Sequence, residues 1–435
     1  MNLRSRCASL ALTAFTALSS TAGDAAAQTP TSPYLLGDWH GQRSALADDG
    51  LRFKLAYTGE AAHNVRGGSR ELTRYTDQWQ LNATLDLDKL WRWHGATFQL
   101  TYTSRHGDDL GAEARIGNYQ LIQEVYGRGQ TVHLTDLWLE QAWLSGQLAW
   151  KLGRMTVGED FASFSCDFQN LTFCGAQPGN LVGDYWVNWP TSVWATRLKL
   201  ATSAHSYVQL GAYQVNPHYV DDRWARHNGW KPDNPGGTLG VLVPLEFGWT
   251  PTWRDLPGSY KLGAWYSNAR VDDLVLDRQR QPRILSGQPA LQHEARYGGY
   301  INFQQQVSGD AGDVGATLFL NLSQADHRSA ATDRQLSLGV TYRGPLHRAD
   351  DLLGFALGAT HTNSRLARAA RLFNAARPGA DRARRGDELV GELFYSWSAR
   401  PWLSLRPNLQ YIRHPGGDTG NSDAWVLGLK NNLVF

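Results

Sequence analysis

From Leu51 to Phe435 apolar and polar side chains alternate in segment after segment. Past residue 27 the chain nowhere contains the roughly 20 consecutive apolar residues that a membrane-spanning helix needs. The last stretch, DAWVLGLKNNLVF (423–435), sets the pattern. Trp425, Leu427, Leu429, Leu433 and Phe435 share one face, and Gly428, Lys430 and Asn432 share the other. A strand that is oily on one side and wet on the other fits a soluble sandwich, or a closed wall with hydrocarbon outside and water inside. Helix-free crossing of a bilayer leaves only the closed barrel, because in lipid every backbone N–H and C=O must be paired within the structure.

The connections decide between these two. Sixteen strands can be laid on the sequence, and those after even-numbered strands are short (90–94, 203–204, 254–258, 308–312). Those after odd-numbered strands are mostly long (106–132, 156–191, 215–237, 270–294, 363–386). An up-and-down barrel with both termini at the same, periplasmic, end produces this rhythm. A propeller or β-helix would repeat in sequence, and no repeat is present. The expectation is an all-β, transmembrane, antiparallel up-and-down barrel over 51–435, preceded by a segment 28–50 with one short helix. In that segment Asp38 can cap and Gly50 can stop the helix.

Arg4 and Arg6, the apolar run 8–18 and the small residues Ala25 to Ala27 come in the order of a secretory signal peptide, cleaved before Gln28. Its loss removes two of the 42 basic and one of the 40 acidic residues, so the exported chain is close to neutral and nothing favours nucleic-acid binding. Cys7 leaves with the signal. Cys166 and Cys174 remain as a pair in an oxidising compartment, where a disulfide is the favoured reading. A metal site would need further ligands, and SCDFQNLTFCG offers no nearby histidine.

In such a wall, function belongs to inward residues and to any loop that folds back inside. The 156–191 connection is the longest. It carries both cysteines and is rich in rings and amides, which suits a constriction. Aromatic faces stack on sugar rings, while charges and amides pair with hydroxyls. The candidate contacts are Lys151, Arg154, Arg197, Glu246 and Lys261 on the wall, with Glu159, Asp160 and Trp186 in the loop; Glu392 is also inward. For each lumen charge the competing reading is a wetted wall, and for Trp186 it is packing of the loop itself. Their mixed sign argues against strong ion selectivity. Catalytic signatures are missing: there is no G-x-S-x-G elbow, no H-E-x-x-H and no P-loop, so neither an enzyme nor a cofactor is expected.

The stretches GDWHGQRSALADDGLRF, QEVYGRG with LTDLWLEQAW, KLGRMTVGEDFA with its cysteine loop, GTLGVLVPLEFGWTP with LPGSYKLGAWY, and PNLQYIRHPGG resemble the carbohydrate-selective porins of bacterial outer membranes, the OprB type. The resemblance implies a 16-stranded pore passing monosaccharides such as glucose down their gradient through a narrow basic constriction. It carries over Arg154, Glu159, Asp160 and the two cysteines residue by residue. The implied partners are small sugars, outer-membrane lipid and lipopolysaccharide, the barrel-assembly machinery through the strand ending in Phe435, and further copies in a homo-oligomer. The arginine-rich stretch 365–385 departs from this pattern and suits lipopolysaccharide phosphates or anionic solutes. A general or anion-preferring pore is the second reading, and an outer-membrane barrel enzyme with a plugged lumen the third.

Overall fold

The strands that this alternation demands are present, and they close. The computed structural model describes residues 32–377, 379 and 385–435; the expected signal peptide, 1–27, lies outside the described residues. Strands β1 (Leu51–Arg66), β2 (Thr73–Asp86), β3 (Ala96–Gly107), β4 (Val132–Trp143), β5 (Leu148–Met155), β6 (Val193–Ser203), β7 (Ser206–Val215) and β8 (Gly240–Trp249) make the first half. The second half is β9 (Leu256–Ser267), β10 (Arg296–Gln306), β11 (Gly315–Ala325), β12 (Thr332–Arg343), β13 (Leu352–Thr362), β14 (Asp387–Arg400), β15 (Leu403–Arg413) and β16 (Ala424–Val434). Each pairs antiparallel with its sequence neighbours, and β1 pairs with both β2 and β16, in the latter from Ala56 opposite Val434 to Arg66 opposite Trp425. Among the described residues no edge of this wall remains unpaired, which is what hydrocarbon requires.

Alternation sorts the side chains as the sequence indicates. On β16, Leu427 and Leu429 are 52% and 42% exposed, whereas Lys430 between the same neighbours is 2% exposed. Arg406, Asn408 and Gln410 on β15 are buried, while Leu409 is exposed. The polar set therefore points into the barrel and the apolar set forms its surface. Among the described residues no helix is long and apolar enough to cross a membrane.

Several boundaries differ from the sequence reading, two of them because the chain leaves the strand for another conformation. Leu87 to Lys89, read as the end of a strand, belong to the helix Leu87–Trp91, because the Asp86 carboxylate caps the N–H groups of Asp88 and Lys89. The expected strand 238–253 stops at Trp249 and resumes only as the pair Thr252–Trp253 within the turn.

The N-terminal helix, Gln42–Asp48, sits at the end where the chain terminates. Arg43 Nη2 donates to the Phe435 carbonyl at 2.6 Å, and its guanidinium stacks on Tyr34 and Trp39. Leu35 N donates to Val434 O at 2.8 Å. The helix is thereby tied to the end of the short turns rather than set across the opening among the long loops.

Candidate functional site

Two long connections, 108–131 and 156–192, turn inward, and inward wall residues hold them there. Four wall glutamates receive loop backbone. Glu246 accepts from Ala162 N at 2.9 Å, and Glu392 from Gln169 N and Asn170 N, both at 2.8 Å. Glu388 accepts from Tyr119 N at 2.7 Å, and Glu60 from Val125 N at 3.3 Å. A loop inside a barrel has backbone groups that cannot reach bulk water, and a carboxylate offers several acceptor sites to satisfy them.

Cations do the same for loop carbonyls. Lys261 Nζ donates to Ser163 O at 2.6 Å, Arg406 donates to Asp167 O, and Lys430 Nζ donates to Cys166 O at 3.2 Å and Phe168 O at 3.1 Å. Gln177 reaches Ser337 on β12. The 156–192 connection thus leaves β5 and lies against the inner faces of β8 to β16. The Cys166–Cys174 disulfide closes its tip.

What stays open is a cavity of about 810 Å³ between these loops and the inner faces of β1, β2, β3 and β16. The wall contributes Thr58, Gln78, Gln80, Arg105 and Lys430. The 108–131 connection contributes Glu124, Tyr126 and Arg128, and the 156–192 connection Glu159, Phe164, Asn180 and Trp189. Lys430 pairs with Glu124 at 2.9 Å and Glu60 at 3.2 Å, and Arg105 approaches Glu124 at 3.9 Å. Gln78 Oε1 accepts from both Arg105 Nε (2.9 Å) and Trp189 Nε1 (3.0 Å), which fixes the indole at the cavity edge. Rings, amides and charges of both signs therefore meet in one solvent-accessible cavity.

Of the eight residues singled out from sequence, Glu159 lines this cavity. It is exposed to the cavity, but the protein matrix around it first, and the charge of Asp136 second, push its pKa well above the usual carboxylate value. Lys151 and Asp160 form an ion pair at 2.5 Å, with Arg197 at 3.8 Å from Asp160 and bonded to Glu140. Glu246 and Lys261 hold the loop, as above. Trp186 is fully buried, edge-on to Trp265 (5.2 Å) and Tyr300 (5.9 Å), so it anchors the loop and meets no solute.

Arg154 requires a correction. The sequence reading puts it inside with Lys151, but it lies three positions further along the strand, so the two face opposite sides. Arg154 lies opposite Leu137 and Trp194 across the neighbouring strands. There the 216–239 connection roofs it: its guanidinium donates to Ser192 O at 2.9 Å and Asp233 O at 3.2 Å and stacks on Tyr219.

The sequence reading missed Arg105, Glu124, Tyr126, Arg128 and Lys430 as cavity-lining groups. Lys430 had a usable signal in its place on the wet face of the last strand. QEVYGRG supplies Glu124, Tyr126 and Arg128, yet nothing in its composition says that its loop turns inward.

A family model described as carbohydrate-selective porin, OprB family, matches residues 70–435. Porin B of Pseudomonas aeruginosa is 41% identical over 435 residues, covering 96% of this chain and 95% of that protein. The putative porin QuiX of Acinetobacter baylyi is 32% identical, covering 92% and 93%. The high-pH structure of Pseudomonas putida OprB is 39% identical and superposes with a TM-score of 0.90, covering 94% of this chain and all of that one. The low-pH structure of the same protein gives 0.60 at 28% identity. Family and fold point to a channel rather than an enzyme. With a closed wall, a polar passage and these relatives, the chain belongs to the OprB family of carbohydrate-selective porins and is a carbohydrate-diffusion porin of the bacterial outer membrane.

Proposed function

We propose that monosaccharides, glucose among them, pass down their gradient through the cavity between the two inward loops and the β1–β3 wall. The observation that carries this reading is the joint lining of Trp189, Tyr126 and Phe164 with Gln78, Asn180 and the Arg105–Glu124–Lys430 cluster. Rings cover the apolar face of a pyranose while fixed amides and charges exchange for the water on its hydroxyls, so a sugar sheds hydration without a large barrier. Glu159 is the one lining group of the original eight. Lys151, Asp160, Arg197, Glu246 and Lys261 keep the constriction loop, 156–191, in place. Liposome swelling with glucose and an equal-sized zwitterion tests this: glucose should enter faster, and equal rates would overturn the sugar preference.

An anion-preferring pore is the second reading. It is favoured by Arg105, Arg128 and Lys430 facing a Glu159 held toward its neutral form. Its test is the reversal potential in a salt gradient before and after Arg105→Ala. Residues 1–27 are assigned as the signal peptide, the C-terminal strand with Phe435 as the contact for the assembly machinery, and the functional unit as one barrel with its own passage, whether or not copies associate.

A further inference from the structure

The outer surface of β10 to β13 departs from a plain oily wall. The register sets Gly299, Gln324, Arg334 and His361 in one outward row near the end of the long connections. Four positions along the strands, about 13 Å away at roughly 3.3 Å per residue, lies the parallel row Phe303, Leu320, Leu338 and Leu357. The upper row, with Tyr297, Ser364 and the ion-paired carboxylates of Asp326 and Asp333, lines a polar recess of about 590 Å³. The lower row lines an apolar groove of about 620 Å³, and Leu338 and Leu357 there are 43% and 48% exposed. Head-group chemistry therefore sits directly above acyl-chain chemistry on one face.

The charge at the top is unbalanced. Arg328 is matched by Asp326, Arg365 by Asp273, and His361 by Asp333 and, at 4.0 Å, by Asp387, the next residue of the row. Arg334, Arg368 and Arg371 have no acceptor among the described residues. The helix carrying the last two, Ser364–Ala376, begins at the rim of the recess. Three arginines without a counter-charge among the described residues, at the outer end of the barrel, suit phosphate, which guanidinium binds through paired N–H donors.

We infer that β10–β13 with the Ser364–Ala376 helix form a site for a phosphorylated lipid of the outer leaflet: the phosphates of lipopolysaccharide's lipid A meet Arg334, Arg368 and Arg371, and acyl chains lie in the groove below. The site is separate from the sugar passage, being on the other side of the wall.

The test uses the full mature porin in detergent, titrated with bisphosphoryl lipid A and with its dephosphorylated form and read by native mass spectrometry. The triple variant Arg334→Ala/Arg368→Ala/Arg371→Ala should bind bisphosphoryl lipid A on the order of a hundredfold more weakly, matching the parent's affinity for the dephosphorylated lipid. Arg92→Ala/Arg254→Ala, in the short turns at the opposite end, should bind like the parent, and glucose flux should be unchanged in every variant. Arg334→Glu alone is the second variant should the triple fail to fold, as judged by heat-modifiable migration. Equal binding by parent and arginine variants would overturn the site. So would a dimer that buries the groove and persists after lipid A is stripped.

Discussion

At the scale of single residues, the inward glutamates do more for architecture than for passage. Glu392 satisfies two buried loop N–H groups, and removing an acceptor leaves each without a partner at about 1–3 kcal/mol. Glu392→Ala should therefore lower unfolding stability in detergent by on the order of 3 kcal/mol and raise open-channel noise in bilayer recordings. Arg154→Ala should leave reversal potential unchanged, because its guanidinium is spent on the 216–239 connection, whereas Arg105→Ala should shift it toward cations. Glu159 sets a pH dependence. Its folded pKa is raised, so the folded protein holds the proton more tightly than the unfolded chain; the associated stability is complete below the ordinary value of 4.5 and is lost as pH rises toward the raised one. Over the same rise the passage gains a negative charge. The reversal potential should move toward cation preference, and Glu159→Gln should abolish that step.

At the scale of elements, the passage is what two loops leave over. The 156–192 connection was legible as a constriction element because its length, rings and cysteines set it apart. The 108–131 connection was not, since its acidic start, DDLGAE, and QEVYGRG read as an ordinary outer loop. Yet Glu60 and Glu388, far away in sequence, draw its backbone inward. Replacing 112–128 by a short flexible link should raise single-channel conductance severalfold and erase the difference in swelling rate between monosaccharides and disaccharides. Unchanged conductance would mean that the 156–192 connection sets the bore alone.

At the scale of the whole molecule, closure is the property on which the rest depends. β1 must find β16 across nearly the full chain, and each wall position then faces lipid or lumen by parity alone. Leu429 and Lys430 are neighbours with opposite surroundings. Leu429→Arg should cost up to about 2–4 kcal/mol, the penalty of a lipid-facing arginine at the bilayer midplane, measured by denaturant titration in lipid, while Lys430→Met should leave Glu60 without its cation and Glu124 with only the more distant Arg105, and alter the passage instead. Equal effects of the two substitutions would contradict the assignment of faces.

Parity and loop length are local properties, so the sequence alone determined the barrel, its sixteen strands, the end at which the chain terminates, and the wet face that carries Lys430, Arg406 and Glu392. Which wet residues meet solute is settled elsewhere. Lys261, Glu246 and Glu60 look alike as inward charges, but each is claimed by a loop backbone group that folding brings to it from tens of residues away. Arg154 leaves the lumen because three steps along a strand reverse its side. Only the tertiary structure could make these decisions, because hydrogen-bond partners in a barrel's interior are chosen by where the loops cross it, and no periodicity in the chain records that path.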